Sequence, residues 1–88
     1  MEKTNEIKNN FNSIDFTDDN SIINFINNNE AEAMTGTNSD GETIVMSVQK
    51  GINLSISTYL DNGFIRTTIY TIDDENLIRE ELYEPSGN

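Results

Sequence analysis

The chain has 88 residues, no cysteine, no histidine, and sixteen acidic against five basic side chains, for a formal net charge of −11. That length sets one domain with a thin core, and no disulfide can staple it. The charge excludes direct binding to DNA, RNA or anionic membranes, and the missing His and Cys remove the common nucleophile–base pairs and the usual zinc ligands.

Residues 1–88 are expected to form a single α+β domain: a helical part over 4–29, a β-meander over 31–84 and a short tail over 85–88. Ile7, Phe11 and Ile14 stand at i, i+4 and i+7, one face of a first helix. Thr4 is its expected cap. A second helix follows, with Thr17 as N-cap and Asp18 and Asp19 in the first turn, where the helix dipole favours negative charge. Ile22, Ile23, Phe25 and Ile26 form its apolar stripe. Asn27-Asn28-Asn29 ends it, since Asn is a weak helix former and tolerates the left-handed C-cap. Asp15 and Phe16 lie where the two helices either break or merge.

From residue 31 the hydrophobic period falls from 3.6 to 2. Thr43 to Lys50 alternates, with Ile44, Met46 and Val48 inward. Ile52 to Leu60 alternates again, with Ile52, Leu54, Ile56 and Leu60 inward and Asn53, Ser55, Ser57 and Tyr59 outward. Phe64 to Ile72 is rich in β-branched residues but splits its apolar set. Phe64, Tyr70 and Ile72 share one parity and Ile65 and Ile69 the other, which implies burial on both sides or a bulge. Leu77 to Tyr83 is another strand and Ala31 to Thr37 a weaker one. Turn signals at Asn38-Ser39-Asp40-Gly41, Lys50-Gly51, Asp61-Asn62-Gly63 and Asp73-Asp74-Glu75-Asn76 join four or five strands in sequence, without helices between them. The sheet is therefore an antiparallel meander, covered on one face by the N-terminal helices. Its other face is expected to carry Thr43, Ser47, Ser55, Ser57, Tyr59 and threonines.

No phosphate-cradling glycine motif is present, and the loop at Asn38–Glu42 lacks the frame of a calcium loop. No cofactor, metal or catalytic residue is expected, and the reading is non-enzymatic. Met1 to Glu6 lacks the basic and apolar regions of a secretion signal, which points to the cytoplasm.

The feature with functional content is acidic. Asp73, Asp74, Glu75, Glu80, Glu81 and Glu84 place six acids within twelve residues, answered only by Arg79. Carboxylates on one face of a strand repeat at about 6.6 Å, comparable to phosphates along a nucleic-acid strand. The cluster reads either as a solvated edge that blocks unwanted sheet pairing or as a ridge for a basic groove. In the second case those six acids, with Tyr70 and Tyr83 as packed anchors, form the partner-binding set.

Small size, excess Asn and acid, and short helices before a meander give the chain a compositional resemblance to the small acidic inhibitors encoded by bacteriophages, the anti-CRISPR proteins and DNA mimics. The resemblance rests on Asp73 to Glu84 and the overall charge, and it implies occupation of the DNA-reading cleft of a host nucleoprotein. Two alternatives remain open: a self-associating structural β-domain, and an immunity or antitoxin protein neutralising a basic nuclease.

Overall fold

The computed structural model describes the backbone of residues 2–86 and the side chains of residues 5–86. Two helices, α1 (Glu2–Asn12) and α2 (Asp19–Asn28), precede five strands: β1 (Ala31–Thr37), β2 (Thr43–Gln49), β3 (Asn53–Tyr59), β4 (Phe64–Asp73) and β5 (Asn76–Pro85). The strands form one antiparallel sheet in the order β1-β2-β3-β4-β5. The fold is thus α+β, with N-terminal helices on a β-meander. Residues 87 and 88 of the expected tail lie outside the described residues, and Pro85 belongs to β5 rather than to a tail.

Local chemistry corrects the helix ends. α1 begins at Glu2, so Thr4 lies inside the helix and does not cap it. Thr17 does not cap α2 because its own groups are engaged. Its hydroxyl donates to the Asp15 carboxylate at 2.6 Å and its N–H to the same oxygen at 3.0 Å. The cap is Asp18, whose carboxylate accepts the Asn20 N–H at 3.0 Å. α2 closes without a left-handed residue, since Asn29 is extended at φ −137°. The Asn29 amide donates to the Phe25 carbonyl at 2.9 Å, and its Oδ1 accepts from Asn10 at 3.1 Å. One buried side chain therefore ends α2, ties α1 to it, and lets the backbone run straight into β1.

The docking stripe of α2 is Ile22, Phe25 and Ile26, and these pack with Met46, Val48, Leu54 and Tyr70. Ile7, Phe11 and Ile14 of the α1 segment rest against this cluster. The two layers are also joined end-on. Gly51, in the β2–β3 turn at φ +77°, donates its N–H to the Ile26 carbonyl at 2.8 Å, satisfying an acceptor left over at the C-terminus of α2.

Ile52 was expected inward. It is 54% exposed, because it closes the turn by donating its N–H to the Gln49 carbonyl at 2.8 Å, outside the pleat of β3. The inward set of β3 is Leu54, Ile56 and Thr58. β4 pairs on both sides in continuous register and has no bulge. Its Phe64, Tyr70 and Ile72 parity faces the helices, while Ile65 and Ile69 are half-buried on the open face. The register shift lies in β1 between Ala31 and Met34, where Ala33 takes φ +53° and donates its N–H to the Ser47 hydroxyl at 3.0 Å.

Leu54 is fully buried beneath α2, so Leu54→Ala is expected to cost about 2–5 kcal/mol in chemical denaturation without changing the native spectrum. The Thr17 hydroxyl and N–H hold the Asp15 carboxyl below its ordinary range. A depressed folded value means that its stabilisation is present above the unfolded pKa and is lost as pH falls through the folded one. Thr17→Ala is expected to move the Asp15 titration upward in carboxyl-carbon NMR, and an unchanged midpoint would refute that cause.

Candidate protein-binding surface on the β4–β5 hairpin

β4 and β5 are joined by the tightest connection in the sheet. Asp73 pairs with Asn76, so Asp74 and Glu75 alone make the turn, with Asp74 at φ +64°. From that closing pair the register runs without a break through Tyr70–Arg79, Ile69–Glu80, Thr68–Glu81, Arg66–Tyr83 and Ile65–Glu84. Facing pairs share a side of the sheet, so the register assigns every side chain of β5. Leu77, Arg79, Glu81 and Tyr83 lie on the helix side with Tyr70 and Ile72. Ile78, Glu80, Leu82 and Glu84 lie on the open side with Ile65 and Ile69.

The acids therefore do not form one ridge. Asp73, Asp74 and Glu75 cluster at the exposed hairpin tip. Glu80 and Glu84 stand on the open face. Glu81 points to the opposite side, where Arg79 holds it in an ion pair at 3.0 Å. Successive acids at 80 and 81 alternate across the pleat, and Leu82 fills the next open-face position. Same-face carboxylates on β5 are thus four residues apart, about 13 Å along the strand, and not at the 6.6 Å repeat expected for a phosphate-like array. Among the described residues Arg79–Glu81 is the one ion pair, so Glu80, Glu84 and the tip acids have no cationic side chain in contact there.

The two tyrosines part company. Tyr83 is 58% exposed and available to a partner. Tyr70 is only 8% exposed and belongs to the core, with the Phe16 ring 5.8 Å away between centroids, which removes it from the binding set. Its place is fixed by facing Leu54 across the β3–β4 ladder beneath α2.

The open face holds what the sequence reading missed. Between Ser47, Ser55, Ser57 and Thr67 stand the half-buried Val45, Ile65 and Ile69, together with Tyr59, Ile78 (45% exposed) and Leu82 (52% exposed). The Ser57 and Thr67 hydroxyls bond across the strands at 3.1 Å, which spends their polarity on each other. A shallow groove lined by Glu30, Glu32, Ser47, Gln49, Asn53 and Ser55 lies beside β1. This surface is mixed apolar and hydroxyl at its centre and acidic at its margins. Counting residues outward from the Asp73–Asn76 turn would have found it, since that register alone puts Ile78 and Leu82 opposite Thr71 and Thr67.

Among the described residues no group of three or more acidic, His or Cys side chains is placed to hold a metal ion, and no helix is long and apolar enough to cross a membrane. In the Asn38–Glu42 loop the Glu42 carboxylate accepts the Asn38 amide at 3.0 Å, and Asn38 Oδ1 accepts the Asp40 and Glu42 N–H groups, so the Asn38 side chain braces the turn from within.

Because Tyr70 is in the core and Tyr83 is not, Tyr70→Ala is expected to destabilise the domain by about 3–5 kcal/mol and Tyr83→Ala by less than about 0.5 kcal/mol. Equilibrium denaturation of the two variants checks this, and comparable losses would contradict the burial assignment.

No protein-family model, curated protein or solved structure matches this chain.

Proposed function

We propose that the chain is a non-catalytic acidic binding protein that inhibits or modulates a basic, nucleic-acid-binding protein by occupying its positive surface. One observation carries this reading: the open face of the outermost strand presents two exposed apolar anchors, Ile78 and Leu82, bordered by Glu80 and Glu84, which have no cation in contact among the described residues, while Tyr83 is exposed on the other side of the same strand. Apolar anchors supply affinity once water is excluded, and unneutralised charges steer a partner of opposite sign and reject like-charged ones. A protein that binds nucleic acid carries the complementary cationic groove. The wide spacing of Glu80 and Glu84 favours a face-to-groove contact over a phosphate-by-phosphate imitation of DNA. Anti-CRISPR and other phage-encoded inhibitors, and immunity proteins against basic nucleases, would use this same complementarity in a cytoplasmic setting.

The informative variant is Glu80→Gln with Glu84→Gln, since Glu81 is already paired with Arg79. A pull-down from the native cell at low salt is expected to retain a basic protein that elutes at moderate salt. The double variant is expected to weaken that binding about five- to thirtyfold, from about 0.5–1 kcal/mol for each lost charge contact, and to flatten its salt dependence. Added domain should displace nucleic acid from the captured protein in a fluorescence-anisotropy competition. Simultaneous binding of both, or equal affinity of the variant at low salt, would remove this function.

A further inference from the structure

We infer that β5 is a dimerisation strand: two copies of the chain pair through it, antiparallel, to make one continuous ten-stranded sheet. The inference is independent of the basic partner proposed above and begins with the backbone. Ser86 N–H donates to the Gly63 carbonyl at 2.9 Å, and Ile72 N–H donates to the Ile52 carbonyl at 3.0 Å. Hydrogen-bonding direction alternates along a strand. These two bonds therefore direct the even-numbered residues of β5 toward β4. The N–H and C=O groups of Leu77, Arg79, Glu81 and Tyr83 point to the free edge. That edge runs ten residues without a register shift, and every side chain on it except Leu77 is exposed. A long, flat edge with apolar side chains is a template for another strand.

The sequence of the edge selects its own copy. A two-fold axis perpendicular to the sheet requires facing residues to have the same parity. Centring it on Glu80 sets Leu77 opposite Tyr83 of the other copy, Ile78 opposite Leu82, and Arg79 opposite Glu81, each pair occurring twice. Apolar meets apolar, and charge meets opposite charge. Centring the axis one residue away on either side puts Ile78 opposite a glutamate and breaks the Arg79–Glu81 match. The same register joins residues whose backbone groups are free, Leu77 with Tyr83 and Arg79 with Glu81, giving four hydrogen-bonded pairs and about eight inter-chain bonds. The single mismatch is Glu80 facing itself on the axis.

The other edge does not compete. β1 is interrupted by the bulge at Ala33, whose N–H is already taken by Ser47. An isologous contact through β5 alone closes at two copies and cannot extend into a fibre.

Sedimentation equilibrium and size-exclusion light scattering of the full chain test this. A dimer is expected at about 0.1 mM, and it should tighten as salt rises toward about 0.5 M, because two protomers of like net charge repel. Binding of a basic partner weakens with salt, so the two interactions separate by sign. Glu80→Gln is expected to tighten the dimer roughly fivefold by removing the like-charge pair on the axis. Arg79→Glu should weaken it at least roughly tenfold, and the exchange Arg79→Glu with Glu81→Arg should restore it, since both the internal and the inter-chain pairs are rebuilt. Circular dichroism of each variant confirms folding. A monomer at 0.1 mM in high salt for both the wild type and Glu80→Gln, or failure of the exchange to restore what Arg79→Glu loses, would overturn the inference.

Discussion

The extent of helical cover over the sheet governs the rest of the molecule. Five strands at about 4.8 Å spacing make a sheet roughly 24 Å wide, and two helices side by side cover about 20 Å of it. The α1 segment lies toward β1 and β2, where Phe11 borders Met34, Ile44 and Met46. α2 lies over Val48, Leu54 and Tyr70. Phe16, between the helices, extends the cover to Tyr70 and borders an open cavity whose far wall is Arg79 and Glu81 of β5. β5 therefore receives almost none: Leu77 alone of its residues reaches the core cluster. The domain has about as much apolar surface on its helices as four strands consume, and the fifth is held by its ladder to β4.

That shortfall separates a folding strand from a presenting one. β2, β3 and β4 earn their positions by burying Met46, Val48, Leu54 and Tyr70. β5 contributes ten residues of register and little burial, so its side chains are free to answer to something other than the core. Its ladder bonds and the two-residue turn fix its register, so a partner meets a strand already aligned and not a free loop.

The fold was legible wherever local chemistry and packing agreed. Ile44, Met46 and Val48 alternate between turns at Gly41 and Gly51, and no other arrangement buries all three. The Asn29 type permits a left-handed cap, but its side chain instead reaches back to the Phe25 carbonyl within α2 and accepts from Asn10 of α1, the second a contact that exists only after the helices have met. Asn62-Gly63 signalled a hairpin correctly but not its form. Leu60 N–H meets the Phe64 carbonyl at 2.9 Å around a three-residue loop, and only Gly63 takes positive φ. Tyr70 and Phe64 have the same parity, so alternation cannot separate them; what does is how far α2 and Phe16 extend. The acidic site suffered most. Neighbours in sequence look like a cluster, but the pleat sends Glu80 and Glu81 to opposite faces, where, among the described residues, only Glu81 meets a cation, Arg79.

The placement of the charges also explains how a thin core tolerates a net charge of −11. Asp40 and Asp61 sit in turns, Asp73, Asp74 and Glu75 at a hairpin tip, and Glu80 and Glu84 on an uncovered strand, all in contact with water. Exposed charges farther apart than about 8 Å are largely screened at physiological ionic strength, so repulsion between these groups of acids adds up weakly. Repulsion within the tip is stronger, but the tip lies at the end of the strand with the least burial, where loosening costs the core little. Low salt removes the screening and should strain the β4–β5 end of the sheet before the helical end. The face that presents charge is therefore also the part of the molecule whose order depends most on the ions or the partner around it.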